Sequence, residues 1–406
     1  MSGLKALVVV VVVVLLALSN QVRPLNVLAY CLIGATAVAL FWSLVSVRGL
    51  TVRRELRQSR AQVGETIEER ITVRNQSLLP RLWLEVRDFS TLEGHSSGKV
   101  IDLGPSGART WLVRTICRRR GEYFIGPTEI ESADPIGIFP RRRWLPEARR
   151  LLVYPRVVSL PDFVLPLARQ VGGVRQRTGR FQTTPHAAEV REYYPGDPLN
   201  RIHWLSTARA GKLMVKEFDL APTADVWVFL DLEAGVHRGV GDESTEEYAV
   251  TIAASLARRL LEQGRSVGLI AVGTSRHVLP ADRSDRQYMR ILEELATARA
   301  EGARPLAEVI IADGYRCSRD TVALAITPSL DESWVDALQR LKLDGVGTAA
   351  VFLEPGTFGP AGKPTADSSS PIQVGALAVA GIPSYVVKQG DAIAHALAGD
   401  GRRVLR

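Results

Sequence analysis

The chain has 406 residues, 46% of them hydrophobic and 23% charged, and a formal net charge of +8. That length exceeds one ordinary domain, and the composition is globular, which excludes a disordered or fibrous chain. The basic excess admits nucleic acid, anionic lipid or an acidic protein as partner, so the positions of the arginines must decide. Cys31, Cys117 and Cys317 lie far apart and give neither a disulfide framework nor a metal-ligand spacing, as expected in a reducing compartment.

Residues 1–50 read as a two-helix membrane anchor. The first apolar run, residues 4–18, is short for a span and carries Lys5 ahead of it, with Ala17 and Ser19 placed as in a signal-peptide cleavage site. The second, Val27–Val47, has no charge and is about 20 residues long, enough to cross the hydrocarbon core. An uncleaved helical hairpin is therefore expected, and a cleaved signal is the alternative. Arg48, Arg53, Arg54, Arg57 and Arg60 follow the second run, while the connecting loop has only Arg23. The positive-inside bias thus places everything after residue 50 in the cytoplasm. The expected location is the bacterial cytoplasmic membrane, multi-pass, with a cytoplasmic C-terminus.

Residues 51–158 alternate apolar and polar positions in LTVRREL, ETIEERITVRN, RLWLEVRDF, RTWLVRTICR and GEYFIGPTEI, separated by turn signals. Short strands at this spacing predict a β-sandwich. Its charged residues are expected on the polar positions, so the domain reads as a structural spacer or binding module. Residues 159–225 begin as an aperiodic loop and end in REYYPGDPLNRIHWLSTARAGKLMVKEF, the densest signal in the chain.

From 226 to 406 the pattern becomes strand–helix–strand. VWVFLD, VGLIAVG, DTVALAIT, GTAAVFLE and SYVV are apolar runs of the kind found in buried parallel strands. Ser244/Glu247, Ser284/Gln287 and Ser329/Glu332 have capping-box spacing ahead of three helices. The stretch 355–371 is rich in Gly, Pro and Ser and reads as a flexible surface loop. The fold class is therefore multidomain α+β.

This order of parts resembles the bacterial DUF58 family: a two-helix anchor, an Ig-like β-sandwich, then the motif Arg191-Glu-Tyr-Tyr-Pro-Gly-Asp197, Arg201-Ile-His-Trp204 and Ala208-Arg-Ala-Gly-Lys-Leu-Met-Val-Lys-Glu-Phe218. His203 departs from the family, which commonly has aspartate there. The resemblance implies a C-terminal α/β domain like that of von Willebrand factor A, of Rossmann type. It also implies association with a MoxR-type AAA+ ATPase and other membrane proteins.

Much of the motif has an architectural explanation. Pro195-Gly196 suits the centre of a type II turn, and Asp197-Pro198 suits the start of a helix reaching about Ala208. Tyr193, Tyr194 and Trp204 would then pack that helix on the α/β domain. The charged set Arg191, Glu192, Arg201, Arg209, Lys216 and Glu217 leaves two readings open, a buried ion-pair network or a surface that reads a partner.

The end of the first α/β strand is where the resemblance implies a divalent-cation site of pattern Asp-x-Ser-x-Ser. Here Asp231-Leu-Glu233-Ala-Gly235 keeps the aspartate and loses both serines. Asp231 is expected to satisfy backbone groups at the strand end, with Mg²⁺ held by Asp231 and Glu233 as the weaker alternative and no other cofactor. No dinucleotide or phosphate loop, HExxH or Gly-x-Ser-x-Gly is present. The arginines at 141–150 and 175–180 lack interleaved stacking aromatics, so nucleic acid is not expected. The features gather into a membrane-anchored, non-catalytic interaction or assembly factor, with the bilayer, an AAA+ ATPase and membrane proteins as partners. An enzyme using the region from Arg191 to Lys216 is the alternative.

Overall fold

The computed structural model describes residues 2–20, 23–135, 137–165, 189–193, 202–217, 225–359 and 370–398. Two helices come first, α1 (Ser2–Asn20) and α2 (Arg23–Ser46). Among the described residues α2 is the helix long and apolar enough to cross a membrane; the apolar part of α1, Leu7–Ser19, is shorter. The two helices pack together, and their buried apolar side chains are the small Ala17, Ala29 and Ala39. Small residues let two backbones approach when the larger side chains face outward, as Val38 and Phe41 do here.

The chain divides into two compact units. The first comprises residues 1–159 with 238–255 and 288–301. After the helices it contains β1 (Leu50–Leu56), β2 (Arg60–Gln62), β3 (Thr66–Asn75), β4 (Arg81–Asp88), β5 (Lys99–Leu103), β6 (Ala108–Ile116), β7 (Gly121–Ile125), β8 (Thr128–Ser132), β9 (Arg141–Leu145) and β10 (Arg149–Tyr154). They form sheets β1-β3-β6, β5-β4-β8-β9 and β2-β10-β7. Ile71 and Val73 from the first sheet share one core with Leu84, Val86, Ile101, Leu103 and Ile130 from the second. This is the face-to-face arrangement of a sandwich.

GEYFIGPTEI, expected as one strand, is two strands in different sheets. The break is Gly126, at φ +96°, where a Cβ would lie 2.6 Å from the Glu147 carbonyl oxygen. Pro127 follows and offers no amide to a ladder.

The second unit comprises residues 160–237, 256–287 and 302–406. A ribbon of β11 (Glu189–Glu192), α3 (Trp204–Ala210) and β12 (Met214–Glu217) opens it. Next come β13 (Asp225–Leu230), α4 (Thr245–Glu262), β14 (Val267–Val272), β15 (Arg276–Asp282), α5 (Asp285–Thr297) and α6 (Leu306–Asp313). The chain continues through β16 (Thr321–Thr327), α7 (Ser333–Leu343), β17 (Gly347–Leu353), α8 (Ser370–Val379), β18 (Ser384–Val387) and α9 (Ile393–Ala396). Helices α4 and α5 each contribute residues to both units.

The six-stranded sheet has the order β15-β14-β13-β16-β17-β18 and is parallel except for β15. Trp227, Phe229, Ile270, Ala325, Phe352, Trp334 and Leu338 belong to one of its cores. Strand β15 and helices α6 and α8 are among the elements not expected from sequence. Strand β15 is an edge strand with only partial burial, and α6 carries no capping signal. Helix α8 begins at Ser370, within the stretch read as a flexible loop. Of that stretch, residues 360–369 lie outside the described residues, and Pro355, Gly356 and Phe358 are buried in a short 3₁₀ turn.

Of the three capping boxes, Ser244 accepts the Glu247 amide at 3.2 Å as expected. Gln287 instead is buried, and its Nε2 donates to the Val267 and Pro280 carbonyls, tying α5 to the β14–β15 hairpin. At α7 the residue that takes the helical amide is Asp331, whose Oδ1 accepts from Ser333 N at 3.1 Å; Ser329 Oγ accepts from Asp331 N.

Candidate functional site

The described part of the motif folds as a small ribbon. β11 and β12 pair antiparallel, with Arg191 opposite Val215 and Glu192 opposite Met214. Ile202 bridges to Val215, and His203 N donates to the Met214 carbonyl, so these two residues lie on the ribbon and not in the helix. The helix begins at Trp204 and stops at Gly211, which adopts φ +67° and donates its amide to the Thr207 carbonyl. A left-handed glycine after the last turn is a common helix stop. His203 at the N-cap makes no side-chain bond to a backbone amide; its Nδ1 lies 2.7 Å from Ser206 Oγ. Thr207 Oγ1 accepts the Met214 amide and locks the helix to β12.

This geometry differs from the packed helix expected from sequence. α3 buries no side chain. Trp204 is 69% exposed and Leu205 59%, beside exposed Leu213 and Arg209. Glu192 and Lys212 form an ion pair at 2.8 Å, but both are about half exposed, so this pair is a solvated one and not part of a buried network. Tyr193 is half-buried and its amide donates to the Leu213 carbonyl. Pro195, Gly196, Asp197 and Arg201 lie outside the described residues, as does the start of the helix expected from Pro198. Arg191, Lys216 and Glu217 are placed by their backbone on β11 and β12.

The second candidate lies at the carboxyl end of the six-stranded sheet. Asp231 follows β13 and is fully buried. Its Oδ2 accepts from Thr327 Oγ1 at 2.5 Å, and its Oδ1 accepts the Glu233 amide at 3.0 Å. Thr327 Oγ1 in turn accepts the Ser329 amide. Burial pushes the Asp231 carboxyl up to about 6, against the hydrogen bonds from Thr327 and the Glu233 amide that oppose it. Glu233 is also raised, by burial first and then by the charges of Asp331 and Glu308. Asp331 is held low, chiefly by Ser333. Two loops and the first turn of α6 therefore converge acidic groups on one sheet end, the usual ligand-binding edge of an open α/β sheet. Yet no cluster of three His, Cys, Asp or Glu side chains able to hold a metal occurs among the described residues. Gly235 adds no side chain, and Asp231 already spends both oxygens on protein donors. The donor set therefore does not fit a cation in this conformation.

The ribbon and the sheet up to β17 coincide with a match to a known family. Residues 189–350 match "Protein of unknown function DUF58". This segment is therefore similar to the DUF58 family. The uncharacterized protein YeaD of Bacillus subtilis is 23% identical over 347 residues, which cover 80% of this chain and 81% of that protein. The uncharacterized protein Rv1480 of Mycobacterium tuberculosis is 31% identical over 111 residues, 27% of this chain and 35% of its own length. Among solved structures, the CARDB domain of PF1109 from Pyrococcus furiosus is similar at 16% identity, covering 26% of this chain and 86% of that one. Its TM-score is 0.19, too low for any argument from likeness. The match to DUF58 thus brings a similarity and no activity.

Sequence reasoning missed Thr327 and Glu308 at the sheet end. Both follow from topology: Thr327 ends β16, the neighbour of β13, and Glu308 lies in the first turn of α6. Neither position carries a local signal.

Proposed function

We propose that the chain is a membrane-anchored interaction factor in which the exposed face of α3 binds a protein partner. The observation that carries this reading is the pair Trp204 and Leu205, both mostly exposed on a seven-residue helix that buries nothing. A helix of that length has no stability of its own in water. It is held here by Thr207 and the β12 ladder, so the ribbon holds a tryptophan outward. Tryptophan is enriched among residues that dominate binding energy. The partner class that the DUF58 resemblance implies is a MoxR-type AAA+ ATPase.

Two finer readings support that role. The sheet order, with Asp231 at the end of the central strand, is read as a von Willebrand factor A-like domain whose cation site has been replaced by Thr327 and the Glu233 amide. The arginines after α2 argue for a cytoplasmic location of the sandwich and the α/β unit. Arg54 is buried in the sandwich, but it still counts toward orientation, because the bias acts while the chain is being inserted and is unfolded. With α1, this gives a two-span anchor in the cytoplasmic membrane.

The test is purification of the full chain from its native membrane in mild detergent, wild type against Trp204→Asp with Leu205→Asp. Wild type is expected to retain an AAA+ ATPase in stoichiometric amount and the double variant to lose it. Recovery of the chain alone, or equal ATPase with both proteins, would overturn the proposal.

A further inference from the structure

The junction between α2 and the sandwich carries a second apolar surface. Only Val47, Arg48 and Gly49 separate α2 from β1. Ser43, one turn before the end of α2, donates from Oγ to the Phe139 carbonyl at 2.7 Å, and both Ser43 and Ser46 are buried. The sandwich is therefore seated against the last turn of α2 and does not hang from a free linker.

The loop between β3 and β4 is tied to the same point. Gln76 N donates to the Gly49 carbonyl at 2.8 Å, and buried Arg81 donates from Nη2 to the Arg48 carbonyl at 2.9 Å and to Ser77 Oγ at 2.7 Å. Asn75 Nδ2 donates to the Leu79 and Gly104 carbonyls. This bracing fixes the loop and the start of β4, yet large apolar side chains of both face out: Leu78 is 84% exposed beside Leu79 in the loop, and Trp83 is 79% exposed beside Leu82 in β4.

Trp83 also has φ +55°, a left-handed conformation that a bulky residue rarely adopts. The β4–β5 register shifts between Arg81 and Leu84, so Leu82 and Trp83 form a bulge in the ladder. Bulges re-aim side chains, and strain of this kind persists where the surroundings impose it. Of the nearby arginines Arg48 and Arg74 are exposed, whereas Arg81 is buried, and the stretch 70–84 is bounded by Glu69 and Glu85.

We propose that Leu78, Leu79, Leu82 and Trp83 form a second membrane contact, seated in the headgroup layer of the leaflet from which α2 emerges. This inference rests on the reading that α2 spans the bilayer. The loop is hydrogen-bonded to Arg48 and Gly49, two and three positions past the end of α2, so its apolar side chains are held at headgroup depth. Lipid already occupies that layer. Exposed tryptophan and leucine near the exposed Arg48 and Arg74 match an interface of anionic phospholipid. The contact would fix the tilt of the sandwich on the membrane.

The test places the photo-crosslinker p-benzoyl-phenylalanine, one site at a time, at positions 83, 41 and 343 of the full chain. The native residues are Trp83, Phe41 in α2 and the exposed Leu343 on α7. The proteins are reconstituted in vesicles of phosphatidylcholine with a minority of phosphatidylglycerol, irradiated, and the adducts weighed by mass spectrometry. Phospholipid adducts at 41 and 83 but not at 343 are the expected result. Adducts at 41 alone, or a protein adduct at 83, overturn the second contact and leave the anchor standing. No lipid adduct at 41 overturns the anchor, and the second contact with it.

Discussion

Arg54 and Glu69, on neighbouring strands β1 and β3, form a two-pronged ion pair inside the sandwich, with Nε–Oε1 at 2.6 Å and Nη2–Oε2 at 3.0 Å. Asp88 takes Arg54 Nη1 at 2.9 Å, and His95 Nε2 lies 3.1 Å from Glu69 Oε2. Thr128, Ser97 and Thr115 complete the donors and acceptors. Burial pushes the Glu69 carboxyl up, but the hydrogen bonds of His95 and Arg54, with their charges, hold it below its ordinary range. Burial likewise raises Asp88, and Arg54 and Ser90 more than offset it.

Removing one partner of such a set leaves a buried charge unpaired. Arg54→Met is expected to cost about 3–5 kcal/mol in chemical denaturation of the full chain. The pH dependence has a definite sign. Carboxyls whose folded values are depressed contribute stability above their unfolded values, near pH 4, and that contribution is lost as pH falls through the lower folded values. Wild type is therefore expected to lose stability in acid below about pH 4. A variant with Arg54→Met, Glu69→Leu and Asp88→Leu should show a flatter acid limb. An equal acid limb would rule out this cluster as its source.

This network shows where the sequence was legible and where it was not. Strand alternation located β1, β3, β4 and β6 with nearly correct limits, because a one-sided core forces period two. The same alternation held the missed information. Glu69 lies in phase with Ile67, Ile71 and Val73, and Arg54 with Leu50 and Val52, so both point inward. Charged residues on an apolar phase mark a buried pair, but the pattern cannot say which partners meet, since Asp88 and His95 come from elsewhere in the chain. The buried strands β13, β14, β16, β17 and β18 were legible as unbroken apolar runs. The ribbon was misread because Trp204 looks like a packing residue, and exposure depends on what lies opposite a helix. Helix α6 had no cap, and β15 no strong period.

Asp231 gives a prediction of the opposite sign. Its folded value, about 6, exceeds the ordinary carboxylate value, so the folded state holds the proton more tightly than the unfolded one. Its destabilising contribution grows as pH rises from about 4 to 6 and is complete above that, about 2–3 kcal/mol in all. Asp231→Asn retains an acceptor for the Glu233 amide and loses the charge. It should raise the melting temperature at pH 7.5 and leave it nearly unchanged at pH 4. Adding Mg²⁺ should not shift wild type at either pH. A Mg²⁺-dependent rise abolished by Asp231→Asn would restore a cation to this site.

Arg120 is a third buried guanidinium, and its partners lie on α4, on α5 and just past the end of α5. Nε donates to the Leu295 carbonyl at 3.0 Å, and Nη2 donates to the Ala298 carbonyl at 2.8 Å and to Glu246 Oε1 at 2.7 Å. Glu247 pairs with Nη1, yet burial still leaves its carboxyl raised. The two carbonyls belong to the last turn of α5 and its exit, where the helix presents unpaired acceptors. Arg120→Met removes their donor, unpairs Glu247 and leaves Glu246 only Arg299 at 3.8 Å, at a cost of about 3–5 kcal/mol. Arg120→Lys should recover only part, because one ammonium cannot span both carbonyls and both acids. Denaturation midpoints of the three proteins decide this, and full recovery by lysine would show that charge alone matters.

Gly268 and Trp227 are register partners on β14 and β13, and a Cβ on Gly268 would lie 2.6 Å from the Trp227 ring. The indole is nearly buried, and its ring occupies the space that a side chain at 268 would fill. Gly268→Ala should therefore destabilise by about 1–3 kcal/mol through overpacking. Trp227→Leu should also destabilise, through the volume it removes. The two changes share one space, so their effects should not add: Gly268→Ala should cost far less when position 227 is leucine. Residues in contact show interaction energies of about 0.5–3 kcal/mol in such cycles. A double variant as unstable as the sum of the singles would mean that the glycine is needed for its backbone alone. Gly268 has no positive φ, so the geometry favours the side-chain explanation.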